Sequence, residues 1–242
     1  MKKRIIPIFI LLATALLSSS PAQVHSIKFS GDYSFPFSER LGVTDINAPG
    51  GTAEVRFDVY KNISLGISFG YNLYSLHQQD ALKKWDWGFW NIRYKGIVQD
   101  ALSKYSYLSA TMDPIQKMDI YPLVITASAE FEPLKDVFVR PELGAGVMFY
   151  KRRMYLHEQW QKYFETLDYT YRYDYYNFAD PKEGNPFTAV AGLSVGYQFT
   201  PGFVLEAAAR YSYVLDMDGK YGYENFPMKD VMSLKLGLSF LY

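Results

Sequence analysis

The chain has 242 residues, 25 basic and 25 acidic, with no cysteine; 49% of the residues are apolar and 18% aromatic. The even charge gives a polyanion nothing to follow, which argues against nucleic acid as a partner, and the lack of cysteine rules out a disulfide framework. Beyond the first residues no apolar run approaches the roughly 20 residues that a membrane helix requires.

The start, "MKKRIIPIFILLATALLSSSPAQ", joins a basic end to an apolar stretch over Ile5 to Leu17 and then small residues. This is the pattern of a secretory leader. It predicts a signal peptide over 1–22, with cleavage after Ser26 as the alternative, and a single mature domain over 23–242. Without Lys2, Lys3 and Arg4 the mature chain is slightly acidic.

After the leader, apolar and polar residues alternate in a way that marks half-buried strands. Ile27, Phe29, Tyr33 and Phe35 form the first greasy face, and Ala53, Val55, Phe57 and Val59 the second. A tight turn at 60–62 leads to a third, with Ile63, Leu65, Ile67, Phe69, Tyr71 and Leu73. The fourth carries Tyr121, Leu123, Ile125, Ala127, Ala129 and Phe131; the fifth carries Val139, Leu143, Ala145, Val147 and Phe149. The sixth spans Phe187 to Phe199, the seventh Leu205 to Tyr213, and the eighth is the closing run "LKLGLSFLY".

Tight links near 60–62, 132–136 and 200–202 alternate with long ones near 36–51, 75–118, 157–185 and 216–228. Short turns on one side and long loops on the other, joining an even number of strands, predict an all-β, membrane-spanning, antiparallel up-and-down barrel with periplasmic turns and extracellular loops. Eight strands are expected. Ten is the alternative if 75–118, with its "WDWGFWNIRYKG" and "VQDALSKYSYL" segments, supplies two more.

A soluble sandwich would also alternate, so the content of the two faces decides. The apolar face has aromatics at strand ends and aliphatic residues or Ala between, as lipid and its two interfaces require. The other face is small or charged, with Lys28, Arg56, Arg140, Arg210 and Lys235 against Asp32, Glu54, Asp58, Glu130, Glu142 and Glu206. An eight-strand lumen is only wide enough to be filled by side chains, so these charges are expected to pair across it.

With that pattern the chain resembles the small bacterial outer-membrane barrels of the outer-membrane protein A and X type and the wider porin-like single-domain barrels. The resemblance implies residence in the outer membrane, contact with its lipid, and a C-terminal signal read by the barrel assembly machinery, matched here by Leu238, Phe240 and Tyr242. Unlike outer-membrane protein A, the sequence has nothing after that strand, so a peptidoglycan-anchoring role is not expected.

Other motifs have bland readings. "GISFG" and "GLSVG" fit G-x-S-x-G, yet Ser68 and Ser194 lie inside alternating strands, not on the strand-to-helix elbow that a serine nucleophile uses. His77 or His157 beside Asp80 or Glu158 would offer a base, but no nucleophile is placed near them. Asp216, Asp218 and Glu224 fall in a calcium-like stretch whose glycine is misplaced for an EF-hand. Catalytic residues, metal and cofactor are therefore all expected to be none. "YTYRYDYYNF" puts Tyr169, Tyr171, Tyr173 and Tyr175 on one side of an extended chain, and Trp160 and Tyr163 precede it. These form a candidate recognition surface for an unknown extracellular ligand, since Tyr offers large contact area at low entropic cost. The expected function is a structural, recognition or adhesion protein acting through its loops. The alternatives are a narrow porin-like channel and, third, a lipid hydrolase.

Overall fold

The computed structural model describes residues 24–39, 44–77, 81–82, 88, 90–217 and 226–242; the expected leader lies outside them. Its strands follow in chain order as β1 (Val24–Glu39), β2 (Thr44–Tyr60), β3 (Ile63–His77), β4 (Leu108–Ala129), β5 (Phe131–Leu134), β6 (Val137–Phe164), β7 (Tyr169–Phe178), β8 (Lys182–Gly184), β9 (Phe187–Thr200), β10 (Phe203–Val214) and β11 (Met228–Leu241). A short helix, α1 (Lys95–Lys104), follows a turn of π-helix over Trp90–Tyr94.

Eight of these strands form a closed antiparallel ring in the order β1-β2-β3-β4-β6-β9-β10-β11. β11 returns to β1 in a long register from Ser26 opposite Leu241 to Ser34 opposite Ser233, which leaves the ring without an edge. The ring has eight staves and not ten, because the 75–118 segment supplies a helical stretch and an upward extension of β4. The "VQDALSK" segment is helical for a visible reason: Val98 and Leu102, four apart, share the face that packs on β4 and β6.

The three tight turns lie at one end. Lys61 and Asp136 take positive φ there, 41° and 64°, where an L-residue reverses the chain most tightly. At the other end the expected long loop over 36–51 shortens, because β1 and β2 stay paired up to Ser34 opposite Ala48. The 157–185 loop becomes a hairpin, β6 with β7, capped by a 3-10 turn over Glu165–Leu167. A membrane strand needs about 9–11 residues, whereas β4 has 22 and β6 has 28, so both continue well above the bilayer.

The ring's outer surface is aliphatic at mid-height, with Ile67, Ile125, Leu143, Leu193, Leu205 and Leu236 each about half exposed or more. Soluble monomers do not present an apolar surface that encircles the molecule. Aromatic belts bound it. At the turn end Phe203 contacts both Phe199 and Phe240, and Phe29 packs on Phe240. At the loop end Tyr121 contacts Phe69 and Tyr71, and Phe37 meets Tyr211.

Close approach of β4 and β6 depends on Gly144, where an added Cβ would collide with the backbone carbonyl of Ile125. Gly31, by contrast, has nothing within 4 Å of such a Cβ. Gly144→Val is expected to weaken the barrel by roughly 1–3 kcal/mol, and Gly31→Ala to leave it unchanged. Urea unfolding followed by the gel-mobility difference between heated and unheated samples checks both.

Candidate functional site

The lumen-facing residues of five staves meet in one ionic cluster. Arg56 on β2 donates Nη1 and Nη2 to the two oxygens of Glu206 on β10, at 2.8 and 3.0 Å, and Nε to Glu54 at 2.6 Å. Arg140 on β6 bonds Glu206 at 3.0 Å and also pairs with Glu130. Arg210 on β10 donates to Glu142 at 2.6 Å and to Glu54 at 3.2 Å, and Lys28 on β1 lies 3.1 Å from Glu206. Ser239 on β11 completes the shell of Glu206 at 2.8 Å.

Four cations thus face four carboxylates, and apart from Glu130 each is nearly sealed from solvent. Removing an ion from water costs several kcal/mol, so such a cluster persists only when each charge has partners of the right geometry. The planar guanidinium supplies several fixed donors, which is why three of the four cations are arginines. The small residues opposite them are part of the same design. A Cβ on Gly192 would press on the Glu142 carboxylate, and one on Gly66 on Thr126 and Glu54.

Beside this cluster Lys235 donates to Thr52 at 2.8 Å and lies 3.7 Å from Asp32. Asp32 also accepts from Thr52 at 3.0 Å and Asn72 at 3.3 Å through one oxygen. Its other oxygen has no hydrogen-bond partner among the described residues, and Asp32 is one of the residues that line a cavity of about 40 Å³. That volume holds a few waters.

Toward the loops the cavity ends on an apolar layer of Tyr74, Met118, Ile120, Met148, Tyr150, Val214, Phe226, Met228 and Val231. The lumen is therefore stratified, ionic toward the turns and apolar toward the loops. The expected list of charges misses this second layer. Its signal was the run over Ile120 to Ile125, where alternation blurs because both faces of β4 are apolar.

Above the ring β4, β6 and β7 continue as a three-stranded sheet. On the face that prolongs the lumen side, Met112, Met154, Leu156 and Trp160 are buried beneath Trp90, Ala81 and Val98. Next to this covered patch lies the tyrosine row of β7, Tyr169, Tyr171, Tyr173 and Tyr175, all exposed. Trp160 stacks on Tyr173 with centroids 6.4 Å apart. Glu158, only 2% exposed, accepts from the Trp160 indole at 2.8 Å and from the Asn177 amide. Tyr175 donates to the same carboxylate; its partial burial, and then this bond, hold its phenol above the usual range.

The remaining expected residues fall elsewhere. Asp58 is not in the ionic cluster; half exposed, it pairs with His25 at 2.9 Å near the turn end. Tyr163 lies opposite Thr170, on the reverse face from the tyrosine row, and donates to Asp168 at 3.0 Å, bracing the hairpin tip. Ser68 lies in the lumen, bonded by Arg210 at 3.3 Å, and Ser194 is buried in the same wall. His157 stacks on Tyr176 and bonds Asp174 at 3.0 Å, across the sheet from Glu158. The His77 side chain, Asp80, Asp218 and Glu224 lie outside the described residues. Leu238 and Phe240 are on the lipid face of β11, and Tyr242 follows the strand, its N–H bonded to the His25 carbonyl at 3.1 Å.

Glu206→Gln leaves three cations short of one negative charge, and an expected loss of about 3–5 kcal/mol follows from breaking a buried ionic network. Asp58→Asn, on an exposed pair, is expected to stay within about 1 kcal/mol; the same urea series measures both. Glu158→Ala strands the Trp160 and Asn177 donors. It is expected to speed proteolytic clipping of the β6–β7 hairpin while the heat-modifiable band of the barrel persists.

No family model and no curated protein matches the chain. Among solved structures it is similar to Neisserial surface protein A (NspA), at 12% identity and a TM-score of 0.46 over 92% of this chain and 100% of that one. It is also similar to Ail, the attachment invasion locus protein of Yersinia pestis, at 13% identity and a TM-score of 0.40 over 90% and 97%. A third is a major outer membrane protein from Thermus thermophilus, at 14% identity and a TM-score of 0.45 over 90% and 100%. On its own geometry, an edgeless eight-stave ring with an apolar belt outside and paired charges inside, this chain is a small β-barrel of the bacterial outer-membrane type.

Proposed function

We propose that this protein is a closed outer-membrane scaffold that works at the cell surface as a recognition or adhesion protein, through the sheet carried above its barrel. The observation that carries this reading is the filled lumen: the ionic cluster around Glu206 and the apolar layer around Met118 and Met148 lie one above the other. A cavity of about 40 Å³ lies between them. Among the described residues the paired charges leave no file of unsatisfied polar groups along which a solute would pass.

The surface role is supported by where the chain spends its ordered residues. β4 and β6 rise together from the ring, β7 joins them, and α1 covers one patch, so this part is a packed unit and not a floppy connection. Rigid aromatic side chains on such a unit suit binding, because little entropy is lost on contact. In this reading the partners are outer-membrane lipid around the belt, the barrel assembly machinery acting on the Leu238, Phe240 and Tyr242 face, and an extracellular ligand at the sheet. Chemistry is assigned to none of its residues.

Single-channel recording in planar bilayers tests the closed scaffold. The folded protein is expected to give no discrete steady openings; steady steps of defined conductance would replace this reading with the narrow channel.

A further inference from the structure

Among the described residues strand β7 has one partner strand. Tyr169 to Phe178 pair with β6 from Tyr155 to Phe164, and among the described residues no strand pairs with the other side. Edge strands of this kind are ordinarily blunted by Lys, Pro, a bulge or brevity. This one is ten residues long, contains neither Lys nor Pro, and keeps an unbroken register with β6.

The hydrogen-bond phase shows which groups lie on that edge. Ala179 N–H bonds the Met154 carbonyl at 2.9 Å, directly across from it in the β6–β7 register. Pairs alternate along an antiparallel ladder, so the odd-numbered residues of β7 exchange bonds with β6. The N–H and C=O groups of Thr170, Arg172, Asp174 and Tyr176 therefore point away from it. Tyr163 N–H, bonded to the Tyr107 carbonyl on the β4 side of β6 at 2.8 Å, gives the same phase independently.

These same residues carry the charges. Among the described residues Arg172 has no acidic partner, while Asp174 takes His157 on one oxygen and stays largely exposed. A second β7 laid antiparallel about a two-fold at Tyr173 puts Arg172 opposite Asp174 of the other copy, twice by symmetry. It also sets Thr170 opposite Tyr176, Tyr171 opposite Tyr175, and Tyr173 opposite itself. In that register the free donors and acceptors face one another in bonding phase. A shift of two residues either way sets Arg172 against Arg172 or Asp174 against Asp174, which like-charge repulsion opposes.

We infer that the free edge of β7 is a self-recognition site, which binds β7 of a second copy of this chain through an isologous antiparallel ladder with reciprocal Arg172–Asp174 pairs. This deepens the surface-recognition reading and rests on it. The two-fold is normal to the sheet, and the barrel axis runs along the sheet, so the operation reverses that axis. The two barrels then point away from each other. The contact joins copies in facing membranes, not neighbours in one.

The test uses the mature full chain, one copy per lipid nanodisc, with both disc faces open to solution. Mass photometry is expected to find wild-type particles of two joined discs. Arg172→Asp and Asp174→Arg are each expected to abolish this self-pairing, and a mixture of the two variants to restore it, since each supplies the sign the other lacks. The R172D/D174R double variant is expected to pair with itself again. Unheated gel mobility verifies that every variant is a folded barrel. Single wild-type discs, or no recovery on mixing folded variants, would overturn the inference, and so would two chains gathered in one disc. If discs stay single while the barrel remains electrically silent, self-recognition fails and the closed scaffold stands; steady conductance sinks the scaffold reading and is scored separately from disc pairing.

Discussion

In hydrocarbon no water is at hand for a backbone N–H or C=O, and an unbonded one costs several kcal/mol. For a chain of strands the remedy is to let the last pair with the first. The ladder of β1 with β11, Ser26 to Ser34 against Leu241 to Ser233, performs that closure. Alternation then follows without further choice: with a repeat of two residues, each stave shows lipid one set of side chains and the lumen the other. Exterior, interior and the even number of staves all descend from that one requirement.

Closure also creates a difficulty that the lumen must solve. An eight-stave ring is too narrow for bulk water and too wide to be empty, so its contents have to satisfy one another. Near the turns the solution is ionic, with Glu206 held by Arg56, Arg140, Lys28 and Ser239. Near the loops it is apolar, with Met118, Met148, Phe226 and Met228. The first fixes orientation, because a guanidinium fork accepts few geometries. The second is adaptable, because methionine fills irregular space.

Much of this was legible in the order of residues. Strands facing lipid on one side and a packed lumen on the other leave a period of two, and this revealed the eight staves and the charges that face inward. The upper parts were harder to read for a physical reason. Where β4 and β6 leave the bilayer, the outside turns polar, with Lys117, Asp119, Lys151 and Arg153, while the inside turns apolar, so the sense of alternation inverts between 110 and 120. A reading tuned to lipid outside ends each strand there. Asp58 was misplaced because alternation gives a side chain's face but not its height, and at the ring's end an inward position already meets solvent. The tyrosines of β7 were assigned correctly to one side, but the neighbours that order them, Trp160 and Glu158, come from β6 and depend on a register that the sequence does not display.

The unbroken pairing of β4 with β6, from Leu108 opposite Lys162 down to Ser128 opposite Glu142, has a mechanical consequence. The upper sheet is not hinged onto the ring by a loop; it is made of the same two staves. A pull along the strands at the hairpin tip loads that ladder in shear, so that many hydrogen bonds share the force at once instead of yielding singly from one end. A surface structure built this way passes tension straight into the barrel wall, and the lipid that grips the wall becomes its anchorage.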